Sequence, residues 1–376
     1  MNERFDLIVV GAGPAGSSCA ERAAELGLRV AVFEKAEFPR SKPCAGGLSS
    51  RALGLLGSSV YSIIHHSVRI SEISVGPRVT VTWTGRDTTV ATTSRKEFDQ
   101  YLAERAMRAG ARVEFGAAVD SVTDLGDRVE IVVGSRTLCA SHLVAADGVR
   151  GSIRGMVGMP TLRLSAAAYA RVFPDRSSAL EPFLDRVIID GDVCRGGYGW
   201  IFPKRDHLNI GVCGTAALGQ DYIRDVDRFI ERRGLSSWRV EGHFARPTPA
   251  EVKKAGLAKG RILVVGDAGG LADPITGEGI SHSIESGRQA AEAIAEAEGG
   301  GWDASMIYRR RVVLEILPVL NHTRRLGRLL RALGPGPLSL GLRIPGAAAK
   351  LESWMPRLGH ASEGGVLSID TEGTRR

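Results

Sequence analysis

The chain has no long apolar run. None of its stretches reaches the ~18 uninterrupted apolar residues that a spanning helix needs, so no helical membrane span is expected. The opening residues, MNERFD, carry no basic segment followed by a long apolar core and a small-residue cleavage site, so no secretory signal is read. Cysteine is scarce: five in 376 residues, Cys19, Cys44, Cys139, Cys194 and Cys213, with no CxxC pair. The odd number and the scatter speak against a disulfide framework and against a zinc or other metal site, and predict reduced thiols. Internal repeats are missing too. These absences together lead to the expectation of a cytoplasmic protein.

What is present is ordinary in bulk. Hydrophobic residues make up 43% and charged residues 24%, as in a soluble globular chain long enough for two or three packed layers. Glycine is abundant at 47 residues, which predicts tight turns and close backbone approaches. The net charge of +7 is uneven. Between residues 301 and 360 there are ten basic residues against three acidic ones, so that segment alone accounts for the excess. Such a segment suits an anionic surface or ligand; nucleic acid is not an expected partner. Leu326, Leu329, Leu330 and Leu333 recur at helical spacing, with Arg324, Arg328 and Arg331 on another face. That pattern fits a peripheral contact with an anionic membrane at the cytoplasmic face, and equally a helix that caps a cavity.

The order of elements follows from periodicity. Residues 5–10 read as a strand, 17–26 as a helix and 29–33 as a second strand, a βαβ unit with its glycines at the first turn. Residues 97–108 read as a helix, 112–115 as a strand, 128–133 and 137–146 as a hairpin pair, 261–265 as a strand and 279–298 as a long helix. Residues 68–92 and 162–212 instead alternate with period two and read as antiparallel sheet. The fold class expected is α/β (α+β overall): a Rossmann-like nucleotide-binding domain of residues 1–67, 93–160 and 255–300. An antiparallel-sheet substrate domain of residues 68–92 and 161–254 is inserted in it. A helical region at 301–360 and a frayed polar tail at 361–376 complete the chain.

The chemistry starts at GAGPAG. Gly11, Gly13 and Gly16 fit G-x-G-x-x-G, in which the glycines allow a tight turn, an approaching pyrophosphate and close helix packing. Glu34 lies eighteen positions after Gly16, near the ~20-residue spacing of a ribose-hydroxyl acceptor. FAD and NAD share this turn. The stretch ILVVGDAGGLADPITGEGISHSIESG favours FAD. It ends a strand at Gly266-Asp267, where a sugar-like chain can be hydrogen-bonded. It then opens a helix through Pro274, Gly277, Gly279 and Ile280, whose N-terminus can stabilise negative charge on a flavin ring. No second G-x-G-x-x-G appears, so no separate nicotinamide domain is evident.

Taken together, these stretches resemble the FAD enzymes of the aromatic-hydroxylase, glutathione-reductase-like superfamily. GAGPAG, with Pro14 and Ala15 inside it and Glu34-Lys35 beyond, is similar to the ADP-binding turn. AADGVRGSIR, with Asp147 and Gly148, is similar to the Asp-Gly motif, and Arg95 in TSRKEFDQYL matches the arginine that opens a FAD-contacting helix. Two further stretches, PRSKPCAGGLS and GGYGWIFPKRDHLNIGVCG, resemble the geranylgeranyl reductase family, which saturates isoprenoid double bonds with reduced FAD. Its Pro-x-x-Tyr-x-Trp-x-Phe-Pro motif is matched at Tyr198, Trp200, Phe202 and Pro203, with Arg195 in place of the leading proline. The resemblance implies an isoprenoid or prenyl-lipid substrate, an external electron donor such as NAD(P)H or ferredoxin, and Cys44 and Ala45 near the flavin. Cys44 is then a candidate proton donor or a small loop residue, and the three aromatics, alternate on one strand, a candidate wall for an apolar chain. Two alternatives stay open: an FAD monooxygenase or halogenase, and an electron-transfer flavoprotein serving a quinone.

Overall fold

The computed structural model describes residues 4–76, 79–194, 196–214, 220–249, 256–273, 275–300, 302–333, 342 and 365–370. Its fold is α/β, with helices α1 (Pro14–Glu25), α2 (Ser50–Leu56), α3 (Arg95–Arg108), α4 (Tyr222–Arg232), α5 (Ile280–Gly300), α6 (Ala304–Arg311) and α7 (Leu317–Leu333). The chain divides into two compact units. One holds residues 1–42, 96–164 and 248–324; the other holds 43–95, 165–247 and 325–376.

In the first unit the strands run in the order Ala258–Lys259, Ile262–Val264, Arg136–Ala145, Arg4–Val10, Val30–Phe33, Arg112–Glu114. The last five are parallel, and a hairpin arm of Ser121–Asp124 and Val129–Val133 hangs from the long strand Arg136–Ala145. Valine, isoleucine, leucine and alanine fill both faces of the central strands, as a sheet covered on both sides requires. α1 and α5 lie together in one of the two cores. Their contact depends on a missing side chain: a Cβ on Gly287 would stand 2.2 Å from the Ala15 carbonyl oxygen and 3.1 Å from the Cys19 amide. Cys19 is a fully buried member of that core. α6 continues through a π-helical turn, Val312–Ile316, into α7, so residues 304–324 pack as part of this unit.

The second unit is an eight-stranded sheet in the order Arg239–Pro249, Leu164–Phe173, Leu208–Gly214, Gly197–Pro203, Arg186–Asp190, Ile70–Ser74, Thr80–Thr84, Val366–Asp370. From Leu164–Phe173 onward pairing is antiparallel at each junction but one: Arg186–Asp190 runs parallel to Ile70–Ser74, where the two inserted segments meet. A small sheet of Gly47–Ser49, Val90–Thr92 and His66–Val68 draws residues 43–67 into this unit rather than the first. The expected tail at 361–376 also differs. Val366–Asp370 is a strand, because Leu367 and Ile369 alternate onto Trp83 and Val81 of Thr80–Thr84. Leu326 is half-buried on α7, while the side chains of Leu329, Leu330, Arg331 and Leu333 lie outside the described residues, as do Arg195 and Pro274.

Replacing Gly287 with Ala forces α1 and α5 apart. We expect a loss of about 1–3 kcal/mol in unfolding free energy by urea denaturation, the range for overpacking a tight contact; a midpoint equal to that of the unmodified chain would contradict the close packing.

Candidate functional site

The turn between Arg4–Val10 and α1 is wholly buried. Gly11 has φ +100°, and a Cβ there would stand 2.6 Å from the Ala146 carbonyl oxygen, so only glycine fits. A Cβ on Gly16 would stand 1.8 Å from the Gly11 oxygen. α1 begins at Pro14 with Gly13 before it; no side chain caps it and no acidic residue lies in its first turn. An uncapped helix start with its dipole unopposed suits a phosphate.

Glu34 is buried at the end of the next strand. Its Oε2 accepts from the Ala12 amide at 2.9 Å and its Oε1 from the Ala36 amide at 3.0 Å. Each oxygen keeps a second lone pair for a hydroxyl donor. Arg40 stands 3.8 Å from Glu34 Oε1 and 2.9 Å from Oδ2 of Asp99, a buried carboxylate of α3, and so holds Glu34 in place from behind.

Asp147 lies beside Gly11. Its Oδ2 accepts from the Ile153 amide at 3.0 Å, while its Oδ1 is buried with no hydrogen-bond partner. Burial raises its carboxyl above the ordinary value, against the pull of the Ile153 amide and of Lys35, an exposed neighbour. An orphaned buried oxygen is costly, and a hydroxyl-bearing ligand above the turn relieves that cost. Gly148 follows with φ +81°. A Cβ on Gly266 would stand 2.9 Å from Ala15 Cβ, which brings the end of a third strand, with Asp267, against α1. Asp267 Oδ1 would lie 3.0 Å from a Cβ on Gly279, so it neighbours the start of α5 at Ile280. Asp273 Oδ1 shapes the approach by accepting from the Ile275 and Thr276 amides at 2.8 and 2.9 Å, ahead of Gly277 at φ +68°. His282 is buried in the first turn of α5; its Nδ1 has no hydrogen-bond partner and lies 3.7 Å from Glu285 Oε2.

Gly11, Asp147 and Gly266 therefore follow three neighbouring parallel strands at their C-terminal ends, where ligands of such sheets bind. The uncapped helix, the braced Glu34 and the orphaned Asp147 oxygen fit a pyrophosphate flanked by hydroxyl-bearing sugars, which is the make-up of FAD.

In the second unit three side chains hold the loop of residues 43–47. Lys204, buried, donates to the carbonyls of Gly46 at 3.2 Å and Thr93 at 2.8 Å. Arg246 donates to the Pro43 carbonyl. Asn209 Nδ2 donates to the Cys44 carbonyl at 3.3 Å, and its Oδ1 accepts from Trp200 Nε1 at 2.8 Å. Asn209 thus ties the Cys44 backbone to the Trp200 ring. Ala45 sits half-buried beside Cys44. Burial pushes the Cys44 thiol up, but Arg95, Arg246, the Gly46 amide and Lys204 together hold it below the ordinary thiol value.

Tyr198, Trp200 and Phe202 share one face of Gly197–Pro203. The opposite face carries Ile201 into the core under α4, where Phe229 crowds Gly199. The aromatics are therefore outside that core and on the side of the Cys44 loop: the Phe202 ring would meet a Cβ on Gly47 at 2.9 Å. Trp200 is only 6% exposed and rests on Gly211, where a Cβ would stand 2.2 Å from its ring. Tyr198 and Phe202 are half-buried. Tyr169 is stacked on Phe244 at 5.0 Å, and burial together with the Cys44 charge raises its phenol.

The residues singled out in the sequence thus fall into two groups. Those of the glycine turn, with Glu34, Lys35, Asp147, Gly148, Asp267 and the start of α5, belong to the first unit. Cys44, Ala45, Arg95 and the three aromatics belong to the second, where Arg95 acts on Cys44. Arg40, Asp99, Lys204, Asn209 and Arg246 were missed. Asn209 gains its role only from strand pairing, which sets it directly opposite Phe202.

Comparison with known proteins agrees with this geometry. Fold and turn define an FAD-binding protein: the FAD binding domain family matches residues 4–174. A menaquinone reductase of Mycolicibacterium smegmatis is 31% identical over 354 residues, spanning 88% of this chain and 85% of that one. Digeranylgeranylglycerophospholipid reductase 2 of Methanopyrus kandleri is 32% identical over 319 residues, 78% of this chain and 77% of that one. The crystal structure of a geranylgeranyl bacteriochlorophyll reductase-like protein from Thermoplasma acidophilum superposes with a TM-score of 0.79 at 25% identity, covering 89% and 90% of the two chains. The chain belongs to the geranylgeranyl reductase family of FAD-dependent oxidoreductases.

The cationic loop has a direct consequence for reactivity. Brief alkylation at neutral pH, read by peptide mapping, labels Cys44 ahead of Cys194 and Cys213, whose thiols burial pushes up to about 12 and about 11. Arg246→Met moves the pH midpoint of Cys44 labelling upward, because a stabilising cation is gone. Equal labelling of the three thiols, or a midpoint unmoved by the substitution, would contradict the arrangement.

Proposed function

We propose that this enzyme saturates carbon–carbon double bonds of an isoprenoid or prenyl-lipid chain. The observation that carries the reading is the aromatic face of Gly197–Pro203, tied through Asn209 to the loop of the acid-shifted thiol Cys44. A wall of Tyr198, Trp200 and Phe202 offers a long apolar chain an aromatic surface, and the Trp200 indole N–H is already taken by Asn209. The names of the relatives, a menaquinone reductase and a digeranylgeranylglycerophospholipid reductase, support a prenyl substrate.

FAD, when bound and reduced by a donor such as NAD(P)H or ferredoxin, supplies the hydride. The chain's own residues do the rest. The glycine turn, Glu34, Asp147, Gly148, Asp267 and the start of α5 hold the cofactor. The aromatics orient the chain and exclude water. Cys44 Sγ gives its proton to the carbon that does not receive the hydride, and the resulting thiolate is stabilised by Arg95, Arg246 and Lys204 until solvent restores the proton. One hydride and one proton are added for each double bond lost.

The same reading sets the protein against an anionic membrane surface, where such lipids reside. No helix of the described residues is long and apolar enough to cross a membrane. Trp302 just ahead of α6, Met306 on it and Leu314 in the turn after it are nevertheless 70%, 63% and 63% exposed, with Arg310 exposed among them. Large exposed apolar side chains interleaved with cations suit the interface of an acidic bilayer.

One assay covers both statements. FAD-reduced enzyme is incubated with prenyl lipid in anionic vesicles, and the extract is analysed by mass spectrometry. Each reduced bond adds two mass units, and the rate falls as salt is raised. An oxygenated or halogenated product would sink the reductase reading, and a rate indifferent to salt would sink the membrane one.

A further inference from the structure

A cavity of about 640 Å³ opens over α2 in the second unit, with Leu53, Gly54, Tyr61, Arg69, Arg86 and Asp87 in its lining. None of these residues has a part in the chemistry above. Two features set the cavity apart from an ordinary surface dent. The first is Gly54, in the middle of α2. Glycine weakens a helix interior and is kept there when something must come close, yet a Cβ at Gly54 would meet nothing within 4 Å. No packing neighbour among the described residues accounts for it, and the space it leaves belongs to the cavity. The second is charge. Arg69 and Arg86 both line the space, both are exposed, and among the described residues neither is ion-paired. Their guanidinium groups present planar forks of donors that match phosphate oxygens. Leu53 and the half-exposed ring of Tyr61 add an apolar wall, and Asp87 can accept from a hydroxyl.

We propose that this cavity binds a phosphate or diphosphate ester, with Arg69 and Arg86 on the phosphate and the organic part on Leu53 and Tyr61. The inference stands apart from the double-bond chemistry, since the binding is read without turnover. Such an ester could reach the site as a lipid head group or as a soluble phosphate compound, and the two sources differ in which probe binds tighter.

The test is calorimetric titration of the FAD-loaded full chain with inorganic diphosphate and, separately, with dihexanoylphosphatidylglycerol kept monomeric. Saturable binding is expected. Arg69→Ala and Arg86→Ala each weaken it at least tenfold, and Gly54→Leu, whose side chain projects into the cavity from α2, weakens it likewise. Gly54→Ala stays within about twofold, because its methyl has room and alanine favours the helix. Arg128→Ala, an exposed arginine of the other unit paired with Asp127, leaves it unchanged. Tighter binding of the lipid assigns the site to a head group, and equal or tighter binding of diphosphate assigns it to a soluble phosphate. Binding of neither probe, undiminished binding by Gly54→Leu, or equal weakening by Arg128→Ala overturns the proposal.

Discussion

The second unit depends on a buried ammonium group. Lys204 is 4% exposed and donates to two carbonyls, one on each of the segments that flank the Cys44 loop and the start of α3. A charge so far from water is tolerable only with such partners, so the loop and the Thr93 backbone must stay where they are. Because they do, Arg95 at the head of α3 and Arg246 from the edge strand act on one sulfur atom. The lowered thiol of Cys44 is therefore a property of the scaffold and not of cysteine as such. Cys194 and Cys213 show the contrast, since burial without a cation pushes their thiols up.

The first unit obeys a different constraint, close approach of backbone to backbone. Gly11 against Ala146, Gly16 against Gly11 and Gly287 against Ala15 remove side chains where three segments converge. That convergence leaves an uncapped helix start and an unpartnered Asp147 oxygen in one place. Left alone, each is an expense to the fold; together they are a site for a cofactor rich in phosphate and hydroxyl groups. Glu34 is drawn in by the Ala12 amide and steadied by Arg40 and Asp99, so the acceptor proposed for a ribose hydroxyl is preset.

Much of this was legible in the residues because it rests on local patterns. The βαβ unit, the glycine turn, Glu34 and the strand before Asp267 are each readable from a window of a few residues and a known spacing. The period-two aromatics announced one face of a strand. The rest depends on pairing between distant segments, which no window contains. Lys204 looks like any lysine after a strand until Gly46 and Thr93 are placed around it. Asn209 is a bridge only because the register sets it opposite Phe202 and within reach of Trp200. Residues 366–370 read as tail because the stretch around them is polar and glycine-containing; they become a strand because Trp83 and Val81 supply a surface for Leu367 and Ile369. Residues 43–67 show no local pattern that separates them from the nucleotide-binding domain, whereas strand pairing with Val90–Thr92 draws them to the other unit.

The central claim is that Cys44 delivers the proton and that its cations tune it. The most direct measurement is the pH dependence of single-turnover reduction by the FAD-reduced enzyme. A thiol whose value lies below the ordinary one can donate only while it is protonated, so the rate must fall as pH rises through that value. The account predicts that Arg246→Met shifts this fall to higher pH and that Cys44→Ser abolishes it along with most of the rate. A falling limb that stays in place in both variants would contradict it.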